Sequence, residues 1–258
     1  MGEALSPGFA VAMIPARLGS VRFPGKVLAS ETGRPLIAHV IDRARAASCV
    51  GRVVVATDDE RVLAAAAEAG AEGVLTSPAH PNGTARLAEA AATLALADDA
   101  VVVNVQGDEP EVEPEAIDAA VDALLADPDA AIGTVASPLP PDQAPGDPNV
   151  VKAVVGANGR ALYFSRSPVP HVRDPTHAPS ARPLRHVGLY AYRAGFLGLY
   201  ARLPATPLEQ AESLEQLRAL EHGYPIAVAI LESRHAGIDT PEQYRAFVER
   251  HARDHRPA

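Results

Sequence analysis

The chain is organised around one stretch of sequence, Phe9-Ala10-Val11-Ala12-Met13-Ile14-Pro15-Ala16-Arg17-Leu18-Gly19-Ser20-Val21-Arg22-Phe23-Pro24-Gly25-Lys26. Residues 9–13 form a short apolar run, which predicts a buried strand. Arg17, Arg22 and Lys26 follow it, and two glycines among them leave room for backbone N–H groups to approach an anion. Ligands of parallel α/β sheets bind beyond the carboxyl ends of the strands. We therefore predict a loop that surrounds a triphosphate, with a solvated basic turn as the alternative.

Outward from this stretch, strand and helix patterns alternate along the chain. The predicted strands are residues 52–57, 73–75, 99–105 and 131–137. The predicted helices are residues 35–47, 62–69, 85–95 and 114–126. This alternation is best satisfied by an α/β fold with a mostly parallel central sheet and right-handed crossover helices.

The second half of the chain is richer in predicted strands. Residues 138–148 are rich in Pro, Asp and Gly, which is typical of a connection. Predicted strands follow at residues 150–155, 161–165 and 186–192, with Asn158-Gly159 as a hairpin signal. Helices at 195–201, 213–221 and 242–253 and a strand at 226–231 complete the chain. We predict a single α/β domain over residues 1–258, with a smaller β-rich subsidiary lobe for the acceptor or for dimerisation at about residues 139–195.

Composition limits the class of protein. With 258 residues, 47% of them hydrophobic, the chain can bury a sizeable core. A formal net charge of −9 argues against a nucleic-acid-binding surface. The apolar runs are too short to span a bilayer and residues 1–8 do not resemble a signal peptide, so we expect a cytoplasmic protein with no membrane partner. Cys49 is the single cysteine, which excludes an intramolecular disulfide and a thiolate metal cluster.

Two aspartates stand in turns where they could bind a metal. Asp108 follows the predicted strand at residues 99–105, and Asp239 precedes the predicted C-terminal helix. Carboxylate oxygens suit Mg²⁺, which keeps its other positions for water and phosphate. The alternative for Asp108 is a loop aspartate that caps the next helix. The turn at Asp239 also reads as a helix start, and that role is compatible with metal binding.

Several blocks of sequence occur in a characteristic order. The first three are Pro15-Ala16-Arg17 with Ser20, Arg22 and Pro24-Gly25-Lys26; Gly83-Thr84 with Arg86-Leu87-Ala88-Glu89; and Val103-Asn104-Val105-Gln106-Gly107-Asp108-Glu109-Pro110. Later blocks lie at residues 161–166, 185–190, 207–209, 214–218 and 237–242. Together they resemble the 3-deoxy-manno-octulosonate (Kdo) cytidylyltransferases, or CMP-Kdo synthetases, and the resemblance extends from about residue 11 to residue 249.

The resemblance implies a nucleotide-diphospho-sugar transferase-like fold, usually a homodimer. The implied reaction transfers CMP from CTP to the anomeric hydroxyl of Kdo, releases pyrophosphate, uses Mg²⁺ as cofactor and serves lipopolysaccharide biosynthesis. The implied nucleotide-binding residues are Pro15, Ala16, Arg17, Ser20, Lys26, Asn82, Gly83, Arg86 and Gln106. The implied acceptor-binding residues are Arg22, Gln106, Arg166, His186, Tyr190, Glu215 and Gln216. Asp108 and Asp239 are the implied Mg²⁺ ligands, and with Arg17 and Lys26 they are the candidate catalytic residues.

Two segments depart from the family pattern. His80-Pro81-Asn82 stands where the family tends to have His-Gln-Ser, and Pro81 has neither an amide side chain nor an N–H. Val169-Pro170-His171 replaces an Ile-Pro-Trp motif that borders the acceptor pocket. The alternative function is therefore CTP-dependent cytidylyl transfer to another acid, such as a phosphonate like phosphonoformate, an amino-Kdo or a sialic-type sugar acid.

Several candidate residues also have ordinary structural interpretations. Gln106 could bond a neighbouring loop, His186 could pack in the core, and Tyr190 fits a strand on propensity alone. Glu215 and Gln216 could form a solvated helix face. A non-catalytic protein that kept the fold would be expected to lose a metal carboxylate or a phosphate-binding cation, yet all four candidate catalytic residues are present.

Overall fold

Strands and helices alternate along the chain in the computed structural model, which describes residues 8–19, 22–141, 143–174, 176, 182–233 and 237–254. The strands are β1 (Ala10–Ala16), β2 (Val50–Thr57), β3 (Glu72–Leu75), β4 (Val101–Asn104), β5 (Ile132–Pro138), β6 (Lys152–Val155), β7 (Ala161–Ser165), β8 (Leu184–Arg193) and β9 (Ile226–Ile230). The helices are α1 (Leu36–Arg45), α2 (Glu60–Glu68), α3 (Gly83–Thr93), α4 (Pro114–Ala126), α5 (Ala194–Tyr200), α6 (Pro207–Glu212), α7 (Gln216–Glu221) and α8 (Pro241–Asp254), and a 3-10 turn covers Lys26–Leu28.

The described strands form one sheet whose main path runs β3-β2-β1-β4-β8-β5-β9. The pairs β1–β2, β1–β4, β2–β3 and β5–β9 are parallel. β8 runs antiparallel between β4 and β5. The predicted α/β fold with a mostly parallel central sheet and crossover helices is confirmed.

β8 joins the predicted subsidiary lobe to the main sheet. On one of its sides, β4 pairs with the second half of the strand and β6 pairs with its first two residues. β6 and β7 form the predicted hairpin, in which Gly159 takes the left-handed φ of +75°. The segment at about 139–195 is thus continuous with the sheet, because a strand of 10 residues is long enough to pair with two neighbours on one side. Its roles in acceptor binding and dimerisation stay predictions.

β1 is longer than the apolar run predicts, since it continues through Pro15 to Ala16. Proline lacks the N–H that a central strand needs. Val105 N donates to Met13 O at 3.0 Å. The backbone N–H and C=O groups of successive residues in a strand point alternately to its two neighbouring strands, so those of Pro15 point to the same side as those of Met13, towards β4. At the level of Pro15, β4 has already ended at Asn104. The missing N–H therefore costs no sheet hydrogen bond, and a gap opens beyond the end of β4.

Two apolar layers cover the two faces of the sheet. Residues of β1 alternate between them, since Ala12 and Ile14 pack with α1, α2 and α4, whereas Val11 and Met13 pack with α3, α5 and α7. Both layers are buried, as expected for a parallel sheet. Among the described helices, none is long and apolar enough to cross a membrane.

The predicted helix at residues 213–221 is wrong at its start. Ser213 has a left-handed φ of 52° and ends α6, and α7 begins at Gln216. α6 was signalled by the capping-box pattern of Thr206 and Glu209, in which Glu209 Oε2 accepts from Thr206 N at 3.3 Å, and by a proline at its first position. The sequence reasoning missed this signal.

Candidate active site

A cavity of about 460 Å³ opens beyond the carboxyl ends of β1 and β4. Its lining combines the loop after β1, the start of α3, the loop after β4 and two residues from the second half of the chain. These residues are Pro15, Ala16, Arg17, Arg22, Lys26, Val27, His80, Pro81, Asn82, Gly83, Arg86, Gln106, Gly107, Asp108, Glu215 and Asp239. The structure thus brings together every predicted nucleotide-binding residue except Ser20, which lies outside the described residues.

Lys26 joins the two predicted metal ligands. Its Nζ donates to Asp108 Oδ2 at 2.5 Å, to Asp239 Oδ1 at 3.1 Å and to Ile238 O at 2.8 Å. The Lys26 side chain is only 10% exposed, so these oxygens replace most of the water around the ammonium. Arg22 Nη2 lies 2.9 Å from the other oxygen of Asp239. The two carboxylates, which come from distant parts of the chain, therefore converge on a single point.

The loop that carries Asp108 is closely packed against β1. A Cβ at Gly107 would lie 2.9 Å from Pro15 O, so only glycine allows this approach. Ile238 N donates to Asp108 O at 2.8 Å and connects the two aspartate-bearing loops through their backbones. Burial raises the pKa of Asp108, although the neighbouring Lys26 ammonium opposes the shift.

The start of α3 forms another wall of the cavity. Asn82 caps the helix, because its Oδ1 accepts from Ala85 N at 2.9 Å. Arg86 is buried at 4% exposure, and its Nη1 donates to Thr76 Oγ1 at 2.5 Å. Its Nη2 lies 3.5 Å from Asp58 Oδ1. Arg86 therefore holds the end of the β3 segment against α3 beside the cavity.

His80 is a cavity residue that the sequence reasoning did not select. Its Nε2 bonds to Glu89 Oε2 on α3, and the same oxygen accepts from Ser77 N at 2.9 Å. Pro81, which departs from the family pattern, lies next to His80 in the cavity wall. Glu89 belongs to the block that carries the resemblance, but no local pattern pairs it with His80.

Glu215 is the predicted acceptor residue that reaches the cavity from the second half of the chain. Its Oε2 accepts from Thr84 Oγ1 at 2.9 Å. Burial raises the pKa of Glu215, and the Thr84 hydrogen bond opposes the shift. Gln216 is buried at 5% exposure and does not line the cavity. The alternative that this pair forms a solvated helix face is therefore wrong.

Besides Gln216, three predicted acceptor residues lie outside the described lining of the cavity, namely Arg166, His186 and Tyr190. Arg166 donates from Nε to Glu212 O at 2.7 Å and from Nη1 to Pro148 O at 2.8 Å, so backbone carbonyls orient its guanidinium. His186 is buried, and its ring lies 5.3 Å from that of Tyr190. The contacts of these three residues are structural, and their roles in acceptor binding stay predictions.

The two predicted metal ligands, Asp108 and Asp239, lie on either side of the Lys26 ammonium. Among the described residues, no group of three or more His, Cys, Asp or Glu side chains is placed to hold a metal ion. Asp108 and Asp239 nevertheless share the Lys26 ammonium, and the Ile238 carbonyl points at the same atom. The Lys26 ammonium is therefore surrounded by oxygens from two carboxylates and one carbonyl.

Comparison with known proteins places the chain in one family. Residues 11–230 match the sequence model of the cytidylyltransferases. A protein of Syntrophobacter fumaroxidans named 3-deoxy-manno-octulosonate cytidylyltransferase is 50% identical over 92% of this chain and 95% of its own. A protein of the same name from an Anaeromyxobacter species is 54% identical over 89% of this chain and 91% of its own.

Solved structures agree with the sequence comparison. The structure of CMP:2-keto-3-deoxy-manno-octonic acid synthetase complexed with CTP is 40% identical, with a TM-score of 0.88 over 95% of this chain and 99% of that one. A second structure, 4-diphosphocytidyl-2C-methyl-D-erythritol synthase, has a TM-score of 0.62 at 12% identity over 93% of this chain and 97% of its own, and shares the fold alone. The chain therefore belongs to the 3-deoxy-manno-octulosonate cytidylyltransferase family.

Proposed function

We propose that this chain transfers CMP from CTP to the anomeric hydroxyl of Kdo and releases pyrophosphate. The observation that carries the proposal is the convergence of Lys26, Asp108 and Asp239 in one cavity beyond the ends of β1 and β4. The names of the relatives support Kdo as the acceptor, and the CTP complex of the structural neighbour supports CTP as the donor.

The cations of the cavity suit the triphosphate of CTP. Arg17, Arg22 and Lys26 lie along one side of the cavity, on the loop after β1. The chain as a whole carries a net charge of −9, and the carboxylates of Asp108 and Asp239 pair with Arg22 and Lys26, so Arg17 adds the positive charge that attracts an anionic substrate to the cavity. Arg17 is exposed at the cavity wall and is therefore placed to bind phosphate oxygens directly.

The oxygen atoms around Lys26 fit Mg²⁺. This hard cation prefers oxygen ligands and binds through one or two carboxylates together with substrate phosphates. We infer that Asp108 and Asp239 would hold it beside the triphosphate. When bound there, Mg²⁺ supplies positive charge beside the phosphates.

The transfer itself needs positioning and electrostatic stabilisation more than a protein nucleophile. The hydroxyl oxygen of the acceptor bonds to the α-phosphorus, the bond from that phosphorus to the β-phosphate oxygen breaks, and the hydroxyl proton is released. Arg17 and Lys26 stabilise the negative charge that builds up on the phosphate oxygens. Gln106 and Glu215 line the same cavity and orient the acceptor against the α-phosphate.

Pyrophosphate release measured with CTP and a panel of acids tests the proposal. The panel contains Kdo, amino-Kdo, a sialic acid and phosphonoformate, and UTP with Kdo serves as the nucleotide control. We expect the highest kcat/KM with CTP and Kdo. Turnover of the phosphonate with no turnover of Kdo would favour the alternative acceptor and reject Kdo.

Two further features are proposed on the family resemblance and on composition. We infer that the chain works as a homodimer, as the family usually does, and that it is cytoplasmic.

A further inference from the structure

The N-terminus of α8 fixes the backbone next to a predicted metal ligand. Gln243 Oε1 accepts from Asp239 N at 2.7 Å and from Thr240 N at 3.0 Å. In return, Gln243 N donates to Thr240 Oγ1 at 3.3 Å. This is a capping box with Thr240 as the N-cap, and here the same amide oxygen also accepts from the N–H of Asp239, the residue before the cap.

Asp239 lies where a small rotation of its backbone would move the carboxylate away from its partner. Its Oδ1 and Asp108 Oδ2 both accept from Lys26 Nζ. Asp239 precedes α8 and so lacks the hydrogen-bond ladder that orients residues inside a helix. The side-chain oxygen of Gln243 accepts the hydrogen bond from Asp239 N, which has no acceptor within the helical ladder of α8.

The rest of α8 is anchored to the loops that carry the other site residues. Arg250 donates from Nε and Nη2 to the two carboxylate oxygens of Glu111, at 2.9 and 2.6 Å. Glu111 lies on the Asp108 loop. Tyr244 is buried, and its hydroxyl accepts from Glu31 N at 3.0 Å, near the end of the Lys26 loop. Because both loops bind α8, the helix fixes their positions relative to each other.

We propose that Gln243 is a positioning residue for the metal site, which sets the orientation of Asp239 so that its carboxylate meets that of Asp108. The inference rests on the proposed function, since it concerns the same pair of carboxylates. A capping box that only starts a helix affects stability, whereas a positioning residue also affects metal affinity. In other proteins, mutation of a residue that hydrogen-bonds to a metal ligand lowers metal affinity or activity about 10–100-fold.

Mn²⁺ binding to the full chain without nucleotide tests this inference, measured by electron paramagnetic resonance. Gln243→Met removes the acceptor with little change in size, and we expect it to weaken Mn²⁺ binding about tenfold. It should raise the KM for Mg²⁺ more than it lowers kcat. Gln243→Glu keeps an acceptor oxygen at the same reach and should retain the affinity.

The matched control is Arg245→Met on the same helix. Arg245 is exposed, and its Nη2 bonds to Glu242 at 2.6 Å without touching Asp239. We expect wild-type Mn²⁺ affinity from this variant. Gln243→Asn, which shortens the reach of the amide, repeats the test with a smaller perturbation if Gln243→Met does not fold, and it too should weaken binding.

Several outcomes would overturn the inference. These are wild-type Mn²⁺ affinity in both Gln243→Met and Gln243→Asn, an equal loss in Arg245→Met, or a wild-type chain that does not bind Mn²⁺ at all. A wild-type chain that binds Mn²⁺ but releases no pyrophosphate from CTP and Kdo contradicts the proposed function instead. The positioning role is then decided by the Mn²⁺ affinities alone.

Discussion

Lys26 has exchanged most of its water for three protein oxygens, two of them from carboxylates. Removing charges from water is costly, and a buried ion pair is a weak source of stability. We attribute this cost of desolvation to ligand binding, because in the proposed function the same carboxylates bind a metal and the ammonium binds the phosphates. Asp108 shows the same compromise, since burial raises its pKa while Lys26 opposes the shift.

At the residue scale we predict that Asp108→Asn lowers kcat for pyrophosphate release about 10²–10³-fold, because the proposed Mg²⁺ site loses a carboxylate ligand and the reacting phosphates lose the positive charge that the metal would supply. The fold should persist, since Lys26 keeps Asp239 Oδ1 and the Ile238 carbonyl. The control is Asp42→Asn, which removes an exposed ion pair with Arg34 outside the cavity. Steady-state kinetics and the thermal midpoint measure both effects. Undiminished activity in Asp108→Asn would remove the metal assignment.

At the scale of elements, Lys152 connects the β6–β7 hairpin to the loop before β6 and to Arg166. This lysine is fully buried, and its Nζ donates to the carbonyls of Asp147, Val150 and Arg166 at 3.0, 2.6 and 2.5 Å. Arg166 in turn donates to Pro148 O. The two cations thus hold the loop before β6 against the end of β7. Lys152 orients Arg166 by binding its backbone carbonyl.

We predict that Lys152→Met lowers the free energy of unfolding by about 1–3 kcal/mol, because buried carbonyls lose their donor. It should also raise the KM for Kdo more than the KM for CTP, since Arg166 is a predicted acceptor residue and the CTP residues lie on other loops. Arg52→Met, which breaks the exposed pair with Glu72, is the control and should cost at most about 1 kcal/mol. Urea unfolding and steady-state kinetics measure the two effects. Equal changes in both KM values would contradict the acceptor role.

At the scale of the whole molecule, a histidine in the centre of the sheet couples stability to pH. Thr134 Oγ1 donates to Leu189 O at 2.7 Å, so the His186 Nε2 contact at 3.0 Å must be an N–H donated to the threonine oxygen. Burial lowers the pKa of His186 to about 3, and the charge of Arg185 adds to the shift. His186 is therefore neutral in the folded protein at any pH near neutrality.

The resulting pH dependence has a definite sign. The pKa of histidine in an unfolded chain is about 6.5, so below that pH the unfolded chain binds a proton that the folded chain does not. Stability should fall as pH falls from about 6.5 towards 3, by about 1.4 kcal/mol per pH unit from this residue. Urea unfolding should show wild type losing about 2 kcal/mol more than His186→Gln between pH 6.5 and pH 5. The same loss in both proteins would contradict the neutral buried histidine.

Local patterns in the sequence determined the strands, the helices and the segments that carry the chemistry. The helix at 114–126 is predicted with its observed bounds, because a proline at its first position and regular apolar spacing are properties of neighbouring residues. The strand before Asp108 followed from the same reasoning, and so did the short blocks that carry the family resemblance. Each of these features is encoded within a few consecutive residues. β1, in contrast, continues to Ala16, past its predicted end at Met13.

The tertiary structure decided which distant segments meet. Insertion of β8 between β4 and β5 depends on pairing between residues far apart in sequence, which no local period encodes. The same holds for Lys26 between two aspartates, for Glu215 in the cavity and for Gln243 beside Asp239. Hydrogen bonds and ion pairs act over a few ångströms in space, so the geometry of the site exists only once the sheet has brought its strand ends together.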